Sequence, residues 1–143
     1  MFPQPNATSP APATTFGQLV ERVRYEGVYA TSEKAEQAVW DVLAALGRQL
    51  TGEERAALAT ALPVEAALEL TAQITTAPRT GAEFVSDLAT RTGGTTATAR
   101  WDAGTVFTVI AQLAGDDLVT RILHQLPPGY ALLFGRADLT PAA

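Results

Sequence analysis

His124 is the only histidine of the chain, and it is the first residue to consider for catalysis because an imidazole can act as a general base near neutral pH. Nucleophilic catalysis needs a serine or cysteine beside such a base and a third group that orients the base. There is no cysteine, Arg121 stands three residues before His124, and the serines are distant in sequence: Ser9, Ser32 and Ser86. We therefore expect a structural or surface histidine, and the sequence assigns no catalytic residue.

Pairs of acidic residues at helical spacing are the next candidates, because two carboxylates on one helix face can bind a metal ion. Di-iron bundles also need a Glu-x-x-His motif on two helices, and a single histidine preceded by Arg121 does not supply it. Asp116 and Asp117 lack the alternating oxygen ligands of a calcium loop. We expect solvated helix faces and no metal or other cofactor at the three pairs: Glu33/Glu36, Glu65/Glu69 and Glu83/Asp87.

The segment Gly93–Gly94–Thr95–Thr96 is rich in glycine and precedes a helical pattern, so it is a candidate for anion binding at a helix start. It lacks the lysine and the spacing of a phosphate-binding P-loop. We therefore predict a loop that ends in a threonine helix cap.

Charge and composition exclude several classes of partner. The net charge is −5, Lys34 is the only lysine and the arginines are scattered, so a basic surface for nucleic acid is not expected. No apolar run approaches the roughly 20 residues of a membrane span, and the N-terminus lacks the basic and apolar parts of a signal peptide. Together with the absence of cysteine, these features predict a cytoplasmic protein that binds neither nucleic acid nor membrane.

One sequence pattern occurs twice. Residues 49–63 read QLTGEERAALATALP and residues 112–127 read QLAGDDLVTRILHQLP. Both copies run Gln-Leu-x-Gly, two acidic residues, a helical stretch and Leu-Pro. Such internal similarity indicates a duplicated supersecondary unit.

Capping patterns predict where several helices begin. A threonine followed three residues later by Gln or Glu has the spacing of a capping box, and this occurs at Thr15/Gln18, Thr51/Glu54 and Thr80/Glu83. The helix that follows Thr31 has an unusually wide apolar face, which is typical of a central helix with several neighbours.

Two shorter helices are predicted from proline positions. Pro63 should end one helix after Leu62 and begin another that runs to about Ile74. Val64 and Leu68 are among the residues of that helix expected to face the core. A last short helix is expected after Pro128, carrying Leu132, Leu133 and Phe134.

The combined prediction is an all-α fold, in which a tandem duplicated unit of about three helices plus a short fourth forms one compact helical bundle. The predicted organisation is a disordered Pro/Ala/Thr-rich arm (1–14), a first repeat (15–75), a linker (76–80), a second repeat (81–135) and a frayed tail (136–143).

The order of these motifs resembles the bacterial domain-of-unknown-function family 2267 over about residues 15–135. Each half begins with an aromatic-led helix, at Phe16 and at Phe84, and the first half continues with Ala-x-x-Ala-Val-x-x-Val-Leu-x-x-Leu-Gly. Leu-x-Gly-acid-acid and Leu-Pro then follow, and the second Leu-Pro precedes Tyr130. The second half departs from the pattern at Trp101 and Gly104. The resemblance implies an all-helical fold and carries no activity, substrate or catalytic residue to this chain.

The two tryptophans are the apolar residues of greatest interest for function. Trp40 shares a strip with Ala44 and Gly47, where small residues would let another helix approach, and Trp101 lies in the second half. Either the tryptophans form an internal contact between the halves, or they belong to an exposed surface for a protein partner or a second subunit. Tyr25 and Tyr29 are predicted to border that surface.

Three functions follow in order. The first is a non-catalytic protein-protein interaction or scaffold module, with an unknown protein partner or self-association. The alternative is a bundle that binds a small apolar ligand between its repeats. The third is an enzyme with an unrecognised site.

Overall fold

The computed structural model describes residues 14–136, and within this range the chain is all-α. The predicted arm and tail lie outside the described residues, except for Thr14 and Arg136. The all-α prediction is confirmed, whereas the duplication and the boundaries of its two halves remain predictions. The seven described helices are α1 (Phe16–Gly27), α2 (Ser32–Gly47), α3 (Gly52–Ala61), α4 (Val64–Thr71), α5 (Gly81–Thr92), α6 (Thr96–Ala114) and α7 (Asp116–Gln125).

Helix α2 lies at the centre of the bundle, as its wide apolar face predicts. It packs against α1, α4, α5 and α6. Val39, Val42, Leu43 and Leu46 form one completely buried stripe. Ala38, Ala45 and Gly47 widen the buried face on both sides of it. Fully burying an aliphatic side chain of this size contributes about 1.5–3 kcal/mol, so α2 organises much of the core.

Four aromatic rings fill the part of the core that α5, α6 and the segment after α7 enclose. Phe107 stacks on Phe134 with ring centroids 4.4 Å apart, and Phe84 lies 5.5 Å from both Phe107 and Tyr130. These rings continue the aliphatic core around α2, so the described helices share one hydrophobic core.

The beginnings of α1 and α5 confirm the predicted capping boxes at Thr15/Gln18 and Thr80/Glu83. The box predicted at Thr51/Glu54 is wrong, because the Thr51 side chain makes no capping hydrogen bond. The side chain of Gln125 on α7 binds there instead. Its Oε1 accepts from the Thr51 N–H at 2.7 Å, and its Nε2 donates to the Thr51 carbonyl and to Glu54 at 3.0 Å.

The glycines of the two Gln-Leu-x-Gly motifs have a backbone reason. Gly52 has φ 65° and Gly115 has φ 89°, a conformation that glycine adopts without the steric cost that other residues pay. The repeated glycine therefore permits the turn between a long helix and the short helix that follows it.

The face predicted for α4 is wrong. Helix α3 ends before Pro63 as predicted, but α4 ends at Thr71 rather than near Ile74. Val64 and Leu68, which were expected to face inward, are 66% and 65% exposed. Ala66 and Leu70 are buried instead. Helix α4 has apolar residues on both faces, so its periodicity does not decide the buried one; its packing on α2 and α3 does.

The last predicted helix is also wrong, because residues 131–135 form hydrogen-bonded turns. The N–H of Phe134 donates to the Tyr130 carbonyl at 3.1 Å, and Gly135, at φ 81°, prevents the helix from continuing. Leu133 and Phe134 are buried as expected, whereas Leu132 is 71% exposed. None of the helices between residues 14 and 136 has the length and apolar character of a membrane span.

Candidate interaction surface

Trp101 lies in the second turn of α6, with 55% of its surface exposed. Its indole Nε1 donates a hydrogen bond of 3.0 Å to the carbonyl oxygen of Gly27, the last residue of α1. The indole therefore combines the two arrangements expected from the sequence, an internal contact and an exposed surface. Its polar edge connects α6 to α1, and much of its ring faces solvent. Because the hydrogen bond restrains the indole, the exposed ring has a defined orientation.

Val28 follows α1 directly and is an unusual residue at an unusual backbone conformation. It has φ 55° and ψ 44°, the left-handed region, and it is 82% exposed. This conformation costs an L-residue roughly 1–2 kcal/mol, and a β-branched residue there is a clear outlier. A left-handed residue is a common way to end a helix, and here the Val28 N–H donates to the carbonyls of Arg24 and Tyr25. The helix end therefore sets the backbone of Val28 and leaves its side chain exposed.

Tyr29 was predicted to border the surface, and it lies half-buried beside the exposed side chains of Val28 and Trp101, with which it lines one groove. Its hydroxyl donates to Oδ1 of Asp102 on α6 at 2.6 Å, and both side chains are half-buried. Burial raises the pKa of Asp102 above its ordinary value, and this effect outweighs the hydrogen bond from Tyr29, which favours the carboxylate. Burial and the bond to Asp102 also raise the pKa of Tyr29. The pair fixes the α1–α2 connection against α6.

Four exposed residues and the half-buried Tyr29 form a connected area, which we call the Trp101 surface. Val28, Tyr29 and Trp101 line one groove, Tyr25 joins Val28 and Tyr29 in a second, and Leu132 joins Trp101 in a third. Tyr25 is 85% exposed, the most of any large apolar residue described. The Trp101 surface therefore consists of Tyr25, Val28, Tyr29, Trp101 and Leu132.

Trp40, Ala44 and Gly47 lie elsewhere. The half-buried Trp40 ring stacks on Phe16 at 4.7 Å, and its Nε1 donates to Glu36 at 3.0 Å. Gly47 faces α4, since a Cβ at this position would overlap the Leu70 carbonyl oxygen. Phe16 and Gly27 are the two ends of α1, a 12-residue helix that spans about 18 Å. The structure thus brings together Tyr25, Tyr29 and Trp101, and it places the Trp40 strip at the other end of α1.

The residues considered for chemistry have ordinary structural surroundings. His124 is exposed in the last turn of α7. The Glu83 carboxylate completes a capping box, and Asp87 pairs with Arg91 at 2.9 Å. Gly93 ends α5 in the left-handed conformation, and Thr95 caps α6 as the sequence predicted. Among residues 14–136, no three histidine or acidic side chains come close enough to hold a metal ion.

Sequence reasoning missed Val28 and Leu132 as surface residues. A glycine often takes the left-handed position that ends a helix, but α1 includes Gly27 and the left-handed residue is Val28. No sequence signal marks a valine for that conformation. Leu132 stands beside two residues that are buried, and only the turn at residues 131–135 separates it from them.

The fold and this surface define a class of protein: a small all-α bundle with an exposed aromatic surface, held by the hydrogen bonds Tyr29–Asp102 and Trp101–Gly27. The model of the family described as "Uncharacterized conserved protein (DUF2267)" matches residues 16–133. The chain therefore belongs to this family, as the sequence resemblance indicated. A search of curated proteins found no match.

Proposed function

We propose that this protein is a non-catalytic module that binds another protein through the Trp101 surface, in the cytoplasm. The observation that carries the proposal is the exposed indole of Trp101, held by its hydrogen bond to Gly27. Tryptophan and tyrosine are the residues most enriched among those that dominate binding energy at protein interfaces. A restrained side chain also loses less conformational freedom on binding, which favours affinity.

The neighbours of Trp101 support the same function. Tyr25, Val28 and Leu132 extend the apolar area around the indole, and each is more than two-thirds exposed. Contiguous exposed apolar area on a small domain marks an interaction site more often than single exposed residues do. Val28 ends α1 in the left-handed conformation with its N–H donating to the carbonyls of Arg24 and Tyr25, so its exposed side chain has a defined position in the groove that Trp101 also lines.

The alternative, a small apolar ligand between the two halves, has less support. Where α2 and α6 pack together, Val42, Leu43 and Phe107 are completely buried. The groove between α1 and α6 is lined largely by polar and charged side chains, among them Glu21, Arg22 and Gln112. Apolar ligands are usually enclosed by predominantly apolar side chains.

The test compares Trp101→Ala with Leu68→Ala in affinity capture from native lysate, with quantitative mass spectrometry of the captured proteins. Leu68 is a matched control because it is a large apolar residue, 65% exposed, on α4. Loss of a central aromatic contact of about 2 kcal/mol or more lowers affinity by roughly 30-fold, so Trp101→Ala should lose its partners and Leu68→Ala should keep them.

Circular dichroism and chemical denaturation confirm that both variants are folded. Capture of the same proteins in the same amounts by wild type and Trp101→Ala would contradict the proposal. Stoichiometric binding of an apolar small molecule, unaffected by Trp101→Ala, would favour the alternative.

A further inference from the structure

Gly104 is a glycine within α6 that the fold itself does not require. It lies well inside a helix of 19 residues, and its φ is not among the positive values of the described glycines. A Cβ at this position would meet no atom within 4 Å. Glycine in a helix interior costs about 1 kcal/mol relative to alanine, so the chain accepts a cost that no internal contact explains.

The position of Gly104 beside Trp101 gives the surface a particular shape. Residues three apart are neighbours on one helix face, so the protruding indole of Trp101 stands next to a place where α6 has no side chain. Both residues line a groove to which Leu132 also contributes, and the other α6 residues of that groove include the small Ala97 and Thr108. A projection and a depression therefore lie one helical turn apart.

From this shape we infer that the Trp101 surface binds a second copy of the chain, with α6 of one copy packed antiparallel against α6 of the other. This deepens the proposed function and rests on it. A two-fold axis between Trp101 and Gly104 places Trp101 of each copy over Gly104 of the other. Isologous interfaces require such self-complementary surfaces, because residue i contacts residue j and residue j contacts residue i.

The charges beside the groove fit the same arrangement. Glu26 and Arg100 line it, and neither makes a hydrogen bond or an ion pair with another residue in the described range. In an isologous pair, Glu26 of each copy can face Arg100 of the other, so opposite charges meet on both sides of the axis. The chain as a whole carries a charge of −5, so two copies repel each other generally, and a face with balanced charge is the one that permits contact.

The first experiment measures molar mass against protein concentration by size-exclusion chromatography with light scattering and by sedimentation. Wild type should pass from monomer to dimer as concentration rises. Trp101→Ala removes the projection and Gly104→Leu fills the depression, so each should weaken dimerisation by about tenfold or more. Leu68→Ala should dimerise like wild type, because Leu68 lies on α4.

The second experiment uses two charge reversals, Glu26→Arg and Arg100→Glu. The first variant places two arginines at the rim of each copy, and the second places two carboxylates there. Each variant alone should be more monomeric than wild type, because like charges meet across the axis. An equimolar mixture should form a heterodimer, since every rim contact then joins opposite charges.

The outcomes separate this inference from the proposed function. A wild-type chain that stays monomeric up to its solubility limit overturns the inference, and so does a dimer that Trp101→Ala and Gly104→Leu leave intact. If the chain is monomeric but captures a different protein in a Trp101-dependent manner, the proposed function stands and the second copy is excluded. Gly104→Ala, which adds one methyl group in open space, provides a folded variant if Gly104→Leu fails to fold.

Discussion

Gly47 and Gly104 are both helical glycines, and they lack side chains for different reasons. Gly47 ends α2 where α4 crosses it, and a Cβ there would overlap the Leu70 carbonyl oxygen and approach Gln73. Gly104 has open space around it. One glycine therefore serves the packing of this chain, whereas no contact within the described residues requires the other. The sequence alone does not distinguish them, because both stand in apolar, helix-forming surroundings.

The matched substitutions Gly47→Ala and Gly104→Ala should change stability in opposite directions. We expect Gly47→Ala to lower the free energy of unfolding by about 1–3 kcal/mol, because the added methyl group forces α4 away from α2. Gly104→Ala should raise it by about 0.5–1 kcal/mol, because alanine has the higher helix propensity. Urea denaturation at low protein concentration measures both values on the monomer. A loss of stability in Gly104→Ala would contradict the view that this position is free of internal constraint.

Among the described helices that a side chain caps at the start, the cap is of two kinds. At α1, α5 and α6 the cap is local, since a threonine side chain accepts from the backbone N–H three residues on. At α3 the cap is tertiary, since Gln125 comes from α7, far along the chain. The end of α4 is likewise held from outside: the guanidinium of Arg55 on α3 donates to the carbonyls of Leu70 and Thr71. The short helices α3 and α4 thus depend on contacts between elements.

Thr80→Ala and Thr51→Ala test this difference directly. Thr80→Ala removes a capping hydrogen bond of 3.1 Å at the start of α5, and it should cost about 1 kcal/mol of stability. Thr51→Ala should change stability by no more than about 0.5 kcal/mol, because the Thr51 side chain makes no capping bond. Chemical denaturation of the two variants beside wild type provides the measurement. Equal losses would show that Thr51 caps α3 after all.

The same difference explains what the sequence could predict. Local patterns correctly located the capped starts at Thr15 and Thr80, the break at Pro63 and the wide buried face of α2. They failed at Thr51 and at the face of α4, where distant residues decide the outcome. The candidate surface was predicted in part for the same reason. Trp40 and Trp101 stand in similar local patterns, and only the fold places Trp40 against Phe16 and leaves the Trp101 ring exposed.

At the scale of the whole molecule, side chains of the repeated Gln-Leu-x-Gly motif help to join the two predicted halves. The glutamines of the two copies differ in this role. Gln49, in the first copy, is buried, and its amide binds the predicted linker at three points. Its Nε2 donates to Thr76 Oγ1 and to the Ala77 carbonyl at 3.3 Å, and its Oε1 accepts from the Arg79 N–H at 2.9 Å. Gln112, in the second copy, is exposed and accepts a hydrogen bond from Arg22. The first glutamine holds the connection, and the second binds at the surface.

Gln49→Ala and Gln112→Ala form a matched pair that tests this division between equivalent positions. Gln49→Ala should lower the free energy of unfolding by about 1–3 kcal/mol, because it removes the hydrogen-bond partner of three polar groups in the linker. It should also speed tryptic cleavage after Arg79, since the linker loses its attachment to the core and opens locally. Gln112→Ala should stay within about 0.5 kcal/mol of wild type, with unchanged cleavage after Arg79, because its side chain lies at the surface.

Urea denaturation gives the stabilities, and mass spectrometry of timed digests follows the fragment that ends at Arg79. If both substitutions cost the same and neither changes that cleavage, then the buried amide does not hold the two halves together. The packing of α1, α2 and α3 against α5, α6 and α7 must then do so without it.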